Sequence, residues 1–169
     1  LAQLAEAEGK DPVEVYVDRL IASDGREYFN MWMFGGNLEN QWNYMRLPHV
    51  VPMLGDAGAH VGFLTDTDSP TVLLSELTRK QGVYTLEEAI HRISGKSAEI
   101  IGLKERGELQ VGWHADINVI DYENLSTHHA EYVNDFPHGG GRFTVKSTGY
   151  DATIVAGQIV VQNCEHTGN

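Results

Sequence analysis

The amino-acid sequence predicts an α/β segment up to about residue 105 and a β-rich segment after it. Three observations support this prediction. A strand, a helix and a second strand are predicted in that order over residues 28–54, helical stretches follow over residues 69–101, and short β-branched runs dominate from Gly107 onward. The strand–helix–strand order is typical of a parallel βαβ unit, whose functional loops follow the carboxyl ends of the strands.

The first predicted element is a helix that begins at Asp11 and Pro12. An aspartate side chain can cap the free N–H groups at the start of a helix, and proline at the first helical position loses no hydrogen bond. Apolar residues at helical spacing then extend this helix to about Ser23, where Asp24 and Gly25 end it.

The βαβ unit comes next. Residues 28–34 are rich in aromatic and apolar side chains and are predicted as a buried strand. Residues 38–47 are predicted as a helix that ends before Pro48, and residues 49–54 as the second strand. Residues 55–60 form the turn that follows it.

Three helices are predicted after this unit. Ser69 and Pro70 begin a helix that runs to about Lys80. Thr85, with Glu88 three residues later, is typical of a capping box. A last helix over residues 96–101 is ended by Gly102.

The β-rich segment shows alternating or β-branched patterns at residues 116–121, 142–150, 151–156 and 158–162. Ala156 and Gly157 lie between the last two runs, where a two-residue hairpin turn is expected.

The composition excludes several classes of protein. The chain has 169 residues, is 41% hydrophobic and contains one cysteine, Cys164, so an internal disulfide framework is excluded. Its apolar runs fall far short of the roughly 20 residues that cross a bilayer, and no membrane association is expected. The net charge of −12 argues against sequence-independent binding to nucleic acid, which requires clustered positive charge. No signal-peptide pattern opens the sequence, and we expect a cytoplasmic protein.

The main candidate for chemistry is the run Gly55-Asp56-Ala57-Gly58-Ala59-His60. An acidic residue just past the end of a parallel strand lies where α/β barrels place catalytic side chains, and the flanking glycines let a substrate approach the main chain. The same Asp-x-Gly pattern is also typical of an ordinary turn, in which aspartate bonds its own backbone. The residues alone leave both interpretations open.

Other candidate motifs are weaker. Asp66-Thr67-Asp68 begins like a calcium loop, but Thr71 replaces the required glycine and the later ligands are missing. His128 and His129 with Glu131 could bind a metal, but adjacent histidines on one strand point to opposite faces, which favours a solvated loop.

Four stretches of the sequence carry a family pattern: residues 49–60, 84–103, 106–121 and 153–160. Together they resemble the C-terminal part of the amidohydrolase superfamily, specifically its D-aminoacylase (N-acyl-D-amino-acid deacylase) branch. The first is similar to the eighth barrel strand with its aspartate, the second to the helices that follow, and the fourth to the last hairpin. The third matches the superfamily run R-G-x-L-x-x-G-x-x-A-D-x-x-x-x-D. The first stretch and the tail at residues 165–168 favour the D-aminoacylase branch.

This resemblance implies the C-terminal portion of a metal-dependent-hydrolase (β/α)8 barrel, plus C-terminal strands of a small β-sandwich built from both chain ends. Residues 1–105 would belong to the barrel and residues 106–169 to the sandwich. The implied activity is zinc-dependent hydrolysis of linear amides such as N-acyl-D-amino acids. In such enzymes a metal-bound water, its pKa lowered toward about 7, attacks the amide carbonyl.

Only Asp56 matches a functional position of the family. The resemblance implies that its carboxylate takes the proton of the water and passes it to the leaving nitrogen, and it could also contact the metal. Gly55, Gly58 and His60 are expected to line the substrate site.

The sequence also departs from the family. The H-x-H pair, the ligand linking the metals and the two later histidines have no counterpart here, and Asp56 alone cannot supply the three or four ligands that zinc needs. We therefore expect Zn²⁺ only in the full-length enzyme, and no bound metal and no activity in this chain alone. The opening at Leu1, without Met and with strong helix formers, likewise predicts a fragment. Its partner would be the missing N-terminal barrel segment or another copy of the chain.

Two other functions stay open. One is a noncatalytic binding or assembly module that reuses the fold. The other is a cyclic-amide hydrolase or deaminase of the same superfamily.

Overall fold

The structure is a computed structural model that describes residues 1–29, 38–52, 55, 57–63 and 66–168. The chain divides into two compact units, Leu1–Leu38 and Glu39–Asn169. The proposed boundary between residues 105 and 106 stays a prediction.

The first unit contains two helices, α1 (Ala2–Glu8) and α2 (Pro12–Ala22). The side chain of Asp11 accepts a hydrogen bond of 2.8 Å from the backbone N–H two residues later, which confirms the predicted cap. Ala5 and Val15 bury their side chains, and they are the apolar core of this pair of helices.

The helices of the second unit follow the predicted order: α3 (Leu38–Met45), α4 (Ser69–Val72), a π-helix (Leu73–Lys80) that continues α4, α5 (Leu86–Ile93) and α6 (Gly95–Ile101). The Thr85 hydroxyl accepts a bond of 3.2 Å from the backbone N–H of Glu88, and Gly102 ends α6 with φ +75°. These caps confirm the predicted helix ends. Within the described ranges, no helix is long and apolar enough to cross a membrane.

The core of the second unit joins its helices to the β-rich segment. Its buried members are Leu73, Leu74, Leu77, Val83, Tyr84, Ala89 and Leu125. Leu125 comes from the β-rich segment and is fully buried, and Ile120, Tyr122 and Tyr150 pack against the same cluster. Burial of this apolar surface is the main force that holds the β-rich segment against the helices.

Eight strands follow the helices: β1 (Ile117–Ile120), β2 (Ser126–Thr127), β3 (Glu131–Val133), β4 (Arg142–Thr144), β5 (Ser147–Thr148), β6 (Tyr150–Val155), β7 (Gln158–Gln162) and β8 (Glu165–His166). An antiparallel sheet has the order β1-β6-β7-β8, and β2–β5 and β3–β4 form two-stranded pairs. The turn between β6 and β7 has φ +50° at Ala156 and +81° at Gly157, which confirms the predicted two-residue hairpin.

The α/β composition is thus confirmed, whereas the predicted parallel strands are not formed in the described part of residues 28–54. Residues 28–29 and 49–52 do not belong to a strand, and the remainder of both predicted strands lies outside the described residues. A strand exists only when a neighbouring strand takes its main-chain groups. At Val50 the carbonyl instead accepts from the side chain of Arg92, and Pro52 has no N–H to donate.

Candidate functional site

Three of the predicted site residues, Gly55, Gly58 and His60, are described and follow Pro52 in the chain, whereas Asp56 lies outside the described residues. Gly55 lies against Asp66, because a Cβ at this position would be 2.8 Å from the Asp66 Oδ2 atom and 3.3 Å from its main-chain oxygen. Gly58 has φ +86°, in the left-handed region that strains residues with a side chain. Glycine at position 55 therefore permits close contact with Asp66, and glycine at position 58 permits a left-handed backbone conformation.

His60 is exposed, and its ring stacks on Phe63 with 5.0 Å between the ring centroids and 21° between the planes. The backbone N–H of Phe63 donates to the carbonyl of His60 at 2.9 Å. One residue later, the Val61 carbonyl accepts from the N–H of Phe143 in β4 at 2.8 Å. These bonds hold residues 60–63 against the β-rich segment.

A cavity of about 680 Å³ lies beside Gly55. Its walls are mainly apolar, with two carboxylates, and its lining comprises Met45, Pro52, Gly55, Asp66, Asp68, Ser69, Pro70, Val72, Leu73, Leu77, Ile93, Ser97 and Ile101. An apolar pocket with a few converging polar groups is the usual form of a small-molecule site. Of the predicted site residues that are described, Gly55 lines this cavity, and Gly58 and His60 do not.

Asp66 and Asp68 are the acidic groups of the cavity. The sequence excludes a calcium loop at this run and predicts no other site there. Asp66 buries its Oδ1 atom, and Asp68 accepts a hydrogen bond from the hydroxyl of Thr127. Both lie in the short 3₁₀ turn Asp66–Asp68 that leads into α4. The signal available in the sequence was an Asp-x-Asp run directly before the helix start at Ser69.

The main chain that leads from α3 toward Gly55 is held by α5 and the turn before it. The Nη1 atom of Arg92 donates to the carbonyls of Met45, Leu47 and Val50 at 3.2, 3.0 and 2.6 Å. The hydroxyl of Tyr84 also donates to the Met45 carbonyl. Burial raises the pKa of Tyr84, and the nearby Arg92 cation acts in the opposite direction.

The described residues do not fit a zinc site. Across those ranges, no three His, Cys, Asp or Glu side chains come together as a set of metal ligands, and this includes His128, His129 and Glu131. A zinc site needs at least three protein ligands. Any such site would require donors outside these residues.

Comparison with solved structures finds similarity to a D-aminoacylase in three structures. One is described as defining a novel subset of amidohydrolases, and another concerns the functional role of that enzyme's binuclear metal center. Each shows 29% sequence identity and a TM-score of 0.48, and the match covers 59% of this chain and 19% of that chain.

Comparison with curated proteins finds two relatives. A dihydroorotase of Lactobacillus acidophilus is 36% identical over 73 residues, which is 43% of this chain and 17% of the relative. An N-acyl-D-aspartate deacylase of Alcaligenes xylosoxydans xylosoxydans is 41% identical over 56 residues, which is 33% of this chain and 11% of the relative. The chain thus spans less than a fifth of the length of either relative.

The family comparison covers most of the chain. The model of the amidohydrolase family matches residues 26–161, a range that contains the loop of Gly55, the cavity beside it and the β-rich segment up to β7. This agrees with the family predicted from the four sequence stretches. The chain belongs to the amidohydrolase family.

Proposed function

We propose that the polypeptide containing this chain hydrolyses linear, non-peptide amide bonds, with N-acyl-D-amino acids as substrates. The observation that carries this proposal is the family match over residues 26–161, which includes the run from Gly55 to Gly58. The identity of 41% to an N-acyl-D-aspartate deacylase supports the choice of substrate. The mainly apolar cavity beside Gly55 is of a size that suits a small acylated amino acid.

In this proposal Asp56 is the general base. An ionised carboxylate accepts a proton from the attacking water and returns it to the leaving nitrogen, so that neither a strong base nor a free amide anion has to form. Gly55, Gly58 and His60 would lie along the bound substrate. The two glycines would allow close approach to the main chain, and the exposed ring of His60 could contact the acyl or amino-acid part.

Zinc is the cofactor proposed for the complete enzyme. Because the described residues do not form a ligand set, its ligands would have to come from elsewhere, with Asp56 as one candidate. We expect this chain alone to hold no stoichiometric zinc and to show no amidase activity after Zn²⁺ is added. Metal analysis of the purified chain tests this, and one tightly held zinc per chain would contradict it.

The proposed partners follow from the same reasoning. Residues 1–105 would be completed by the missing N-terminal barrel segment or by another copy of the chain, and residues 106–169 would be part of a composite β-sandwich. The cytoplasmic location stays a prediction.

The second candidate function is hydrolysis of a cyclic amide. The observation that favours it is the 36% identity to a dihydroorotase over 73 residues, a longer stretch than that shared with the deacylase. Assays of the complete polypeptide with N-acetyl-D-aspartate, its L enantiomer and dihydroorotate separate the two functions. No turnover of these or other amides would favour the noncatalytic module.

The test of the mechanism is Asp56→Asn in the complete polypeptide. This change keeps the shape of the side chain and removes the proton acceptor, so kcat should fall by about 10²–10⁴-fold while the melting temperature stays the same. Asp135→Asn is the matched control, because Asp135 is an exposed carboxylate paired with Arg142 at 2.7 Å. If Asp56→Asn retains more than about a tenth of the activity, Asp56 is not the base.

A further inference from the structure

Arg92 in α5 is a buried cation, with 8% of its surface exposed. Burying a guanidinium is costly unless its donors are satisfied. Here the Nε and Nη2 atoms donate to one carboxylate oxygen of Glu88 at 3.2 and 2.9 Å, and the guanidinium lies 4.8 Å from the ring centroid of Tyr84. Two neighbours thus fix the orientation of the group.

The remaining donors of Arg92 point at one stretch of main chain. Nη1 contacts the carbonyls of Met45, Leu47 and Val50, and Nη2 lies 3.5 Å from the carbonyl of Arg46. These carbonyls belong to the end of α3 and to the residues after it, where helix hydrogen bonding has stopped. Arg92 therefore supplies several of the hydrogen-bond donors that a neighbouring strand or helix turn would otherwise provide.

This stretch of main chain forms part of the cavity described above. Met45 and Pro52 line its wall, and Gly55 follows at the point of contact with Asp66. Further bonds hold the same stretch: the Tyr84 hydroxyl donates to the Met45 carbonyl, and the Nε atom of Arg46 donates to the Val83 carbonyl at 3.4 Å. All of them anchor it to α5 or to the residues directly before α5.

We propose that Arg92 is a positioning residue of the hydrolytic site. It fixes the main chain of residues 45–50, which carries Met45 of the cavity wall and leads directly to Pro52 of the same wall. The inference rests on the proposed function, because it assumes that Asp56 is the base. Catalysis depends on placement more steeply than stability does, since a displacement of about 1 Å can cost on the order of 10²-fold in rate.

Arg79 provides a matched control. It also lies in the helical layer and also donates to main-chain carbonyls, those of Tyr122 and Leu125, but these belong to the β-rich segment and do not line the cavity. Lysine at either position keeps the charge and loses the planar fork of donors that binds several carbonyls at once.

The experiment measures kcat and KM of Arg92→Lys and Arg79→Lys in the complete polypeptide, with whichever of N-acetyl-D-aspartate and dihydroorotate the wild type hydrolyses faster. We expect Arg92→Lys to lower kcat about tenfold with KM changed less than about twofold, and Arg79→Lys to leave kcat within about twofold. Amide hydrogen exchange at residues 47–51 should rise in Arg92→Lys alone. Equal kcat in the two variants would overturn the proposal, whatever their melting temperatures.

A milder variant decides the matter if Arg92→Lys does not fold. Tyr84→Phe removes one donor from the Met45 carbonyl and should lower kcat about threefold, since a single bond of several is lost; an unchanged kcat would overturn the proposal. Asp56→Asn distinguishes the two levels of inference. If it stays active, the proposed function fails and the role of Arg92 fails with it, whereas if it is inactive and Arg92→Lys matches wild type, only the role of Arg92 fails.

Discussion

Arg79 and Arg92 both donate hydrogen bonds to main-chain carbonyls, in two regions of the second unit that differ in how much other support the main chain has. Arg79 is half-buried, donates to two carbonyls of the β-rich segment and lies 5.6 Å from the ring centroid of Tyr122. Arg92 is buried and contacts four carbonyls after α3. The loop at residues 121–125 needs little help because β1 flanks it and buried Leu125 anchors it. The stretch at residues 45–50 has no strand partner among the described residues, and the Arg92 side chain supplies most of the donors that its carbonyls receive from α5 and the turn before it.

The largest effect on stability should come from two single variants, each of which removes one of the two guanidinium groups. Arg92→Met removes a donor from four carbonyls, of which those of Met45 and Leu47 keep a second donor, and should lower the free energy of unfolding by about 3 kcal/mol, since each buried unsatisfied group costs roughly 1–3 kcal/mol. Arg79→Met removes donors from two carbonyls in a wetter place and should cost about half as much. Denaturant unfolding measures the loss of stability in each variant. Equal losses would show that the greater burial of Arg92 does not increase its contribution to stability.

A second pair of variants tests how firmly the packing around Leu125, rather than the Arg79 side chain, anchors the β-rich segment. A Cβ at Gly149 would lie 2.6 Å from the Cα atom of Leu125, whereas Gly157 has open space around it, and both have positive φ. Gly157→Ala should therefore cost only the conformational strain of about 1–2 kcal/mol, and Gly149→Ala about 1–3 kcal/mol more from overpacking. Thermal melts of the two variants give the difference directly. Similar melting temperatures would mean that the loop can move away from Leu125.

The elements that were predicted correctly depend on signals a few residues apart. The Asp11 cap, the Thr85–Glu88 box and the hairpin at Gly157 each place donor and acceptor, or turn and strand, within four positions of one another. The strand expected at residues 49–54 depended on partners far along the chain, and sequence alone does not say whether they are present. The contacts of Arg92 with the carbonyls after α3 span more than forty positions and have no local signature, whereas its pair with Glu88 is an ordinary i,i+4 contact. The contact between Gly55 and Asp66 also has no signature in the sequence, because it depends on how the intervening chain turns back.

The smallest effect is the pH dependence of the free energy of unfolding, which reports on Tyr84 alone and not on the hydrogen bonds of Arg92. Burial raises the pKa of Tyr84 from its ordinary value near 10.0, so the folded state favours the neutral phenol. The resulting stability is fully present below the pKa of the unfolded state, about 10, and is lost as pH rises through the higher folded value. Denaturant unfolding between pH 9 and 12 should show this loss in wild type and less of it in Tyr84→Phe. If the free energy of unfolding depends on pH in the same way in wild type and in Tyr84→Phe, ionisation of Tyr84 does not destabilise the folded state.

The order of the four-stranded sheet has a consequence for handling the chain in solution. Among the described residues, β1 and β8 are the outer strands of this sheet, and each has a strand neighbour on one side. Two copies could meet along such an edge. The net charge of −12 opposes that encounter, because two copies repel each other. Salt at physiological ionic strength screens this repulsion at distances beyond about 8 Å. Dilute, low-salt buffer should therefore keep the chain monomeric, and concentration in high salt should promote its self-association.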